Sequence, residues 1–137
     1  MGLYNVFNVS GSAMSAQSVR LNTVASNLAN ADAISGSEKD IYRSRQPVFS
    51  AVLERAGGNQ SSIPVRVDGI VESQAIARQE YQPDHPLADK QGYVYKSNVN
   101  TIEEMTNMMA ASRSYQNNVE VFNTSKQLLL KTLNMGR

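Results

Sequence analysis

Residues 3–31 read LYNVFNVSGSAMSAQSVRLNTVASNLANA. Leu3, Phe7, Met14, Leu21, Val24, Leu28 and Ala31 recur at alternating spacings of three and four, with Ser10 and Gln17 as polar exceptions. Val6, Ala13 and Ala25 widen the stripe. That period places one apolar face along a helix and is close to a coiled-coil seam. Gly11 inside it costs about 1 kcal/mol relative to alanine, which the stripe outweighs. Asn30, Asp32, Ser35 and Gly36 end the helix. One helix over 3–31 would be roughly 45 Å long.

The far end of the chain repeats the theme. Met105, Met108, Ser112, Tyr115, Val119, Phe122, Lys126, Leu129 and Leu133 keep the same spacing. Asn100 suits the N-cap, and Glu103 and Glu104 suit the positive end of the helix dipole. Lys126 and Lys131 lie toward the negative end, and Gly136 can follow the last turn. The predicted helix covers 101–134, roughly 50 Å.

Between these ends the pattern changes. Ile41 to Leu53 has extended character, with Pro47 breaking any helix. Gly57 to Ser62 reads as a flexible loop. Ile63 to Val67, part of Val71 to Ala77, and Gly92 to Lys96 read as short strands. Gln82-Pro83-Asp84-His85-Pro86 is rich in turn formers. The expected fold is mainly α. Long N- and C-terminal helices pack as an antiparallel coiled-coil hairpin, with a small β element inserted between them. Residues 1–31 and 100–137 form a discontinuous helical assembly domain. Residues 32–99 form an extended linker and small β-hairpin region.

Charge is concentrated in the middle. Arg20 is the only charged side chain from Met1 to Ala31, whereas 19 of the 25 charges lie from Asp32 to Glu104 and five from Met105 to Arg137. The ends carry Asn, Ser, Gln and Thr instead. Such helix faces pack against further helices at modest desolvation cost. Gln17, Asn22, Asn27, Asn30, Asn117 and Asn118 are therefore candidates for an assembly face. Leu3, Phe7, Met14, Leu21, Val24, Leu28, Met105, Met108, Tyr115, Val119, Phe122, Leu129 and Leu133 are candidates for helix and subunit packing.

Composition excludes several functions. A net charge of +1 over 137 residues gives no electrostatic case for nucleic acid or an anionic membrane. No apolar run reaches the roughly 18 residues of a membrane span, so direct membrane insertion is not expected. The N-terminus lacks a basic segment followed by an apolar core, so no cleaved secretory signal is expected. With no cysteine there is no disulfide frame and no thiolate site. His85, the one histidine, with Asp84 and Asp89, is the single constellation that suggests chemistry. A metal site needs more convergent ligands, and a general base needs a pocket. Flanked by Pro83 and Pro86, His85 reads instead as a local hydrogen-bonding group in a rigid turn. No catalytic residue, metal or cofactor is expected.

Ser10-Gly11-Ser12-Ala13-Met14-Ser15-Ala16-Gln17, then Arg20-Leu21 and Ala25-Ser26-Asn27-Leu28-Ala29-Asn30-Ala31, resembles the N-terminal signature of bacterial flagellar rod and hook axial proteins. Tyr81 to Asp89, Gly92-Tyr93-Val94, Asn98-Val99-Asn100 with Glu103-Glu104-Met105, and Ala111 to Val119 narrow the resemblance to the proximal rod members. It covers nearly the whole chain. There is one departure: the segment after Ala31 is longer and more charged than the family's turn, and Ile41-Tyr42-Arg43-Ser44-Arg45 stands where the family has a basic pair.

The resemblance implies a non-enzymatic subunit of the basal-body rod. Such a subunit assembles helically into a tubular shaft that crosses the periplasm, transmits torque and encloses the export channel. Its implied partners are copies of itself, other rod proteins, the basal-body adaptor at the membrane ring and the flagellar type III export apparatus. Two alternatives are a non-flagellar coiled-coil adaptor and a small hydrolase centred on His85.

Overall fold

The structure is a computed structural model that describes residues 3–52 and 63–136. Leu53, the end of the expected extended segment, and the glycine-rich stretch 57–62 lie outside the described residues. Among the described residues two long helices bracket five strands: α1 (Leu3–Ala29), β1 (Ile34–Ser35), β2 (Arg45–Ala51), β3 (Val65–Glu72), β4 (Arg78–Tyr81), β5 (Tyr93–Lys96) and α2 (Thr101–Met135). The helices hold 27 and 35 residues, together 62 of 137.

Helix ends follow local chemistry. Asn30 closes α1: its backbone N–H bonds the Ser26 and Asn27 carbonyls at 3.2 Å each, and its Nδ2 donates to the Ser26 carbonyl at 2.8 Å. Orphan carbonyls of the last turn are thereby satisfied. Asn100 opens α2. Its Oδ1 accepts the Ile102 and Glu103 N–H groups at 3.2 and 3.5 Å, the expected N-cap.

The middle region contains more than a hairpin. A three-stranded antiparallel sheet runs in the order β1-β5-β4, and β2 pairs with β3 in a second, two-stranded sheet. Tyr93-Val94-Tyr95 favours the central strand, because aromatic and β-branched side chains suit a half-buried pleat. Ile34 and Ser35, expected in the turn that ends the helix, instead pair with Lys96 and Tyr95. The strand is only two residues long, so no alternating pattern announces it.

β4 and β5 are joined by the turn-rich segment. Asp89 organises it: Oδ1 accepts the Gln91 and Tyr93 N–H groups at 2.8 and 2.9 Å. Gly92 has φ +85°, and its carbonyl accepts the Gln82 N–H at 2.9 Å. Across the same strands, the Lys96 ammonium and then the Gln82 amide hold Glu80 below its ordinary carboxyl value.

Among the described residues two compact units form. One is drawn from Met1–Leu21, Pro47–Gly69 and Met109–Arg137. In it Ser10, Ala16, Ala111 and Ser125 are buried, and Phe7 meets Phe122 edge-on with centroids 4.9 Å apart. Ser12 ties α1 to β3, accepting the Val65 N–H at 3.2 Å while donating to the Val9 carbonyl at 2.8 Å. The other unit is drawn from Asn22–Gln46 and Ile70–Met108. Its buried set is Thr23, Val24, Asn27, Ile41, Ser44, Ala77, Val94, Ser97, Val99 and Glu104.

Candidate functional site

α1 buries one side and leaves a regular stripe open. Tyr4, Asn8, Ser15, Ser18, Asn22, Ala25 and Ala29 are exposed. With Gly11 they follow the same three-four spacing as a helix seam, displaced from the buried face. The stripe has no charged side chain, and the space beside Gly11 Cα is open. Ala25, read as widening the buried stripe, belongs to this open one. The signal for the stripe was present in sequence as a second three-four series, but of small and polar residues that hydropathy passes over.

The packing candidates fall at different depths. Leu3 is the first residue of α1. Val24 is buried, and Phe7, Met14, Leu21, Leu28, Met108, Val119, Phe122 and Leu129 are half-buried. Met105, Tyr115 and Leu133 are exposed, at 56%, 38% and 62%. On α2 Ile102, Met109, Leu128 and Leu130 are also exposed. A shallow open groove on α2 is lined by Asn117, Glu120, Val121, Thr124 and Ser125.

The amide candidates divide in the same way. Asn22 and Asn117 are exposed. Gln17 is half-buried, with Oε1 enclosed and lacking a hydrogen-bond partner among the described residues. Asn30 is engaged as the helix cap, and Asn118 Nδ2 donates to the Ser114 carbonyl at 2.7 Å. Asn27 is a correction. It is 1% exposed, and its amide is bonded to Tyr42, Ser44 and Arg45 of its own chain, so it is not on an assembly face.

His85 sits where the turn reading put it. Its N–H bonds the Gln82 carbonyl at 3.1 Å, its carbonyl accepts from Ala88 at 2.9 Å, and Nδ1 accepts the Leu87 N–H at 3.1 Å. Nδ1 is thus committed to the backbone. Among the described residues no group of three acidic or histidine side chains is placed to hold a metal ion, and no helix is long and apolar enough to cross a membrane.

The chemistry is that of packing surfaces, and the comparisons with known proteins agree. A family profile described as the flagella basal body rod protein matches residues 7–34, and one described as the flagellar basal body rod FlgEFG protein C-terminal matches 90–135. The flagellar basal-body rod protein FlgC of Salmonella typhimurium is 50% identical over 137 residues, all of both chains. The chain belongs to the FlgC family of flagellar basal-body rod proteins. The Escherichia coli O6:H1 protein of that name is 49% identical over the full length of both chains. That of Buchnera aphidicola from Acyrthosiphon pisum is 42% identical over 99% of each. FlgC-family proteins are structural components of the rod, so a hydrolase centred on His85 and a non-flagellar adaptor are both disfavoured.

Proposed function

We infer that the chain is a structural, non-enzymatic subunit of the flagellar basal-body rod that assembles with other rod proteins. Full-length identity of 50% to a FlgC protein carries this reading. In finer detail, the subunit joins copies of itself and neighbouring rod proteins in the proximal rod. It contacts the adaptor at the membrane ring and reaches the periplasm through the type III export apparatus. The resulting tube transmits torque and encloses the export channel.

The two terminal helices pack as an antiparallel hairpin, and residues 1–31 with 100–137 act as the assembly domain. The edge-on pair Phe7–Phe122 supports this, since it joins the early part of α1 to the later part of α2. The uncharged stripe Tyr4 to Ala29 and the exposed apolar residues of α2 supply contacts to neighbours. Heterologous contacts whose rotation does not close leave such an assembly open.

Complementation tests the reading. In a flagellated strain whose FlgC gene has been deleted, the intact chain is expected to restore swimming. Leu28→Asp, a charge on a half-buried helix position, is expected to leave expression intact while abolishing rod assembly. Failure of the intact chain to restore any rods, or full motility with Leu28→Asp, would count against the reading.

A further inference from the structure

The Asn27 side chain uses its whole hydrogen-bonding capacity inside the chain. Oδ1 accepts the Arg45 N–H and the Tyr42 hydroxyl, both at 2.9 Å. Nδ2 donates to the Arg45 carbonyl at 2.8 Å and to Ser44 Oγ at 3.4 Å. A carboxamide has two acceptor and two donor positions, and all four are engaged. The two bonds to Arg45 meet its N–H and its C=O together, the way one peptide group pairs with another across a β ladder.

The Tyr42 hydroxyl proton points to Asn27, so Tyr42 accepts from Ser26 Oγ at 3.1 Å. A second amide continues the connection. Asn98 Oδ1 accepts the Ser44 N–H at 2.8 Å, and its Nδ2 donates to the Ala75 carbonyl at 3.0 Å. The Ser44 carbonyl accepts the Ser73 N–H at 2.8 Å.

We propose that Asn27 is a positioning residue: its buried carboxamide fixes the 42–45 segment against the end of α1, and Asn98 locks that same segment to the chain around Ala75. The two asparagines form an uncharged clasp. Its purpose is to set how the middle region leaves the helix, so that the subunit presents one shape to its neighbours. Few residues can replace Asn27. Aspartate lacks both donors and would face the Arg45 carbonyl with a carboxylate. Glutamine is one methylene too long for the two-point pairing, and serine reaches one partner at most.

Amide hydrogen exchange on the full-length chain, followed by NMR, reads the clasp without any rod being present. The Arg45 and Ser44 amides are expected to be protected in the unaltered chain. Asn27→Ala is expected to speed exchange at the Arg45 amide about tenfold or more, the effect of unpairing a buried donor. Amides of the β4–β5 ladder should hold their protection, showing that the chain still folds. Asn27→Asp should behave like Asn27→Ala, and Asn22→Ala, whose side chain is exposed, should leave the exchange rate of the Arg45 amide as it is. If Asn27→Ala does not fold, Tyr42→Phe removes one of the four bonds and should give a smaller acceleration at Arg45. Both Asn27 variants should also reduce swimming in the complemented strain. An Arg45 amide that is unprotected in the unaltered chain, or one whose protection survives all the substitutions at Asn27 and Tyr42, overturns the proposal.

Discussion

At the scale of single residues, Gly92 combines a conformational demand with a steric one. Its φ of +85° lies in the left-handed region, and a Cβ there would stand 2.8 Å from Tyr81 Cε2 and 3.3 Å from Pro83 Cβ. The conformation alone costs a non-glycine residue roughly 1–2 kcal/mol. Overlap with Tyr81 would also disturb its edge-on contact with Tyr93, at 5.3 Å between centroids. Gly92→Ala is therefore expected to lower stability by about 1–3 kcal/mol, read from the urea midpoint at unchanged slope. An unchanged midpoint would mean the turn can relax into another form. The glycine and the prolines around His85 announced a turn from sequence. The role of Asn27 was not announced, because its partners lie 15 to 18 positions away and side-chain pairing leaves no periodic trace. Its neighbours in sequence, Asn22 and Asn30, look the same in composition yet are exposed or used as a cap.

At the scale of elements, both helices and their ends were legible, since their apolar period, N-cap and terminating asparagine are local signals. The depth of individual positions on α2 was less so. The expected seam ran through Met105, Met108, Ser112, Tyr115, Val119, Phe122, Lys126, Leu129 and Leu133; Met108, Ser112, Val119, Phe122 and Leu129 of it are half-buried, whereas the buried positions are Glu104, Ala111 and Ser125. With Asn118 and with Met108, Phe122 and Leu129 of that seam, all half-buried, these three fall at steps of three, four and seven along one helix face. Hydropathy selects the large apolar side chain at each turn. Close packing also takes small side chains such as Ala111 and Ser125, because cores fill by alternating large and small side chains. A direct consequence concerns Ala111, which is fully buried, and its neighbour Ala110, which is exposed. Ala111→Leu should destabilise the chain by about 1–3 kcal/mol through overpacking. Ala110→Leu should stay within about 0.5 kcal/mol, as surface changes usually do. Thermal melts of the two variants side by side distinguish the faces. Equal effects would mean that α2 is not buried along the Glu104–Ser125 line.

At the scale of the whole molecule, the chain leaves much of its helical surface uncovered. Residues 130–136 of the α2 end are all exposed, with Leu130, Leu133 and Met135 at 50%, 62% and 83%. Exposed apolar side chains are common on soluble proteins, but a helix end with no covered face has little to hold it. Helical stability in proteins comes mostly from packing of an apolar face rather than from propensity. In the proposed rod, neighbours would supply the missing packing and the ordering cost would be met on assembly. The dilute chain is thus expected to show less helix than the 62 of 137 residues in α1 and α2. Far-UV circular dichroism at low micromolar concentration measures this, and limited proteolysis locates it. Cleavage should fall first in the last turns of α2, while the sheet around the buried Val94 resists. A dilute monomer with the full helix content and a protease-resistant C-terminus would instead describe a self-sufficient hairpin. The exposed apolar line of α2 would then be a ready-made docking surface rather than a segment completed by its neighbours.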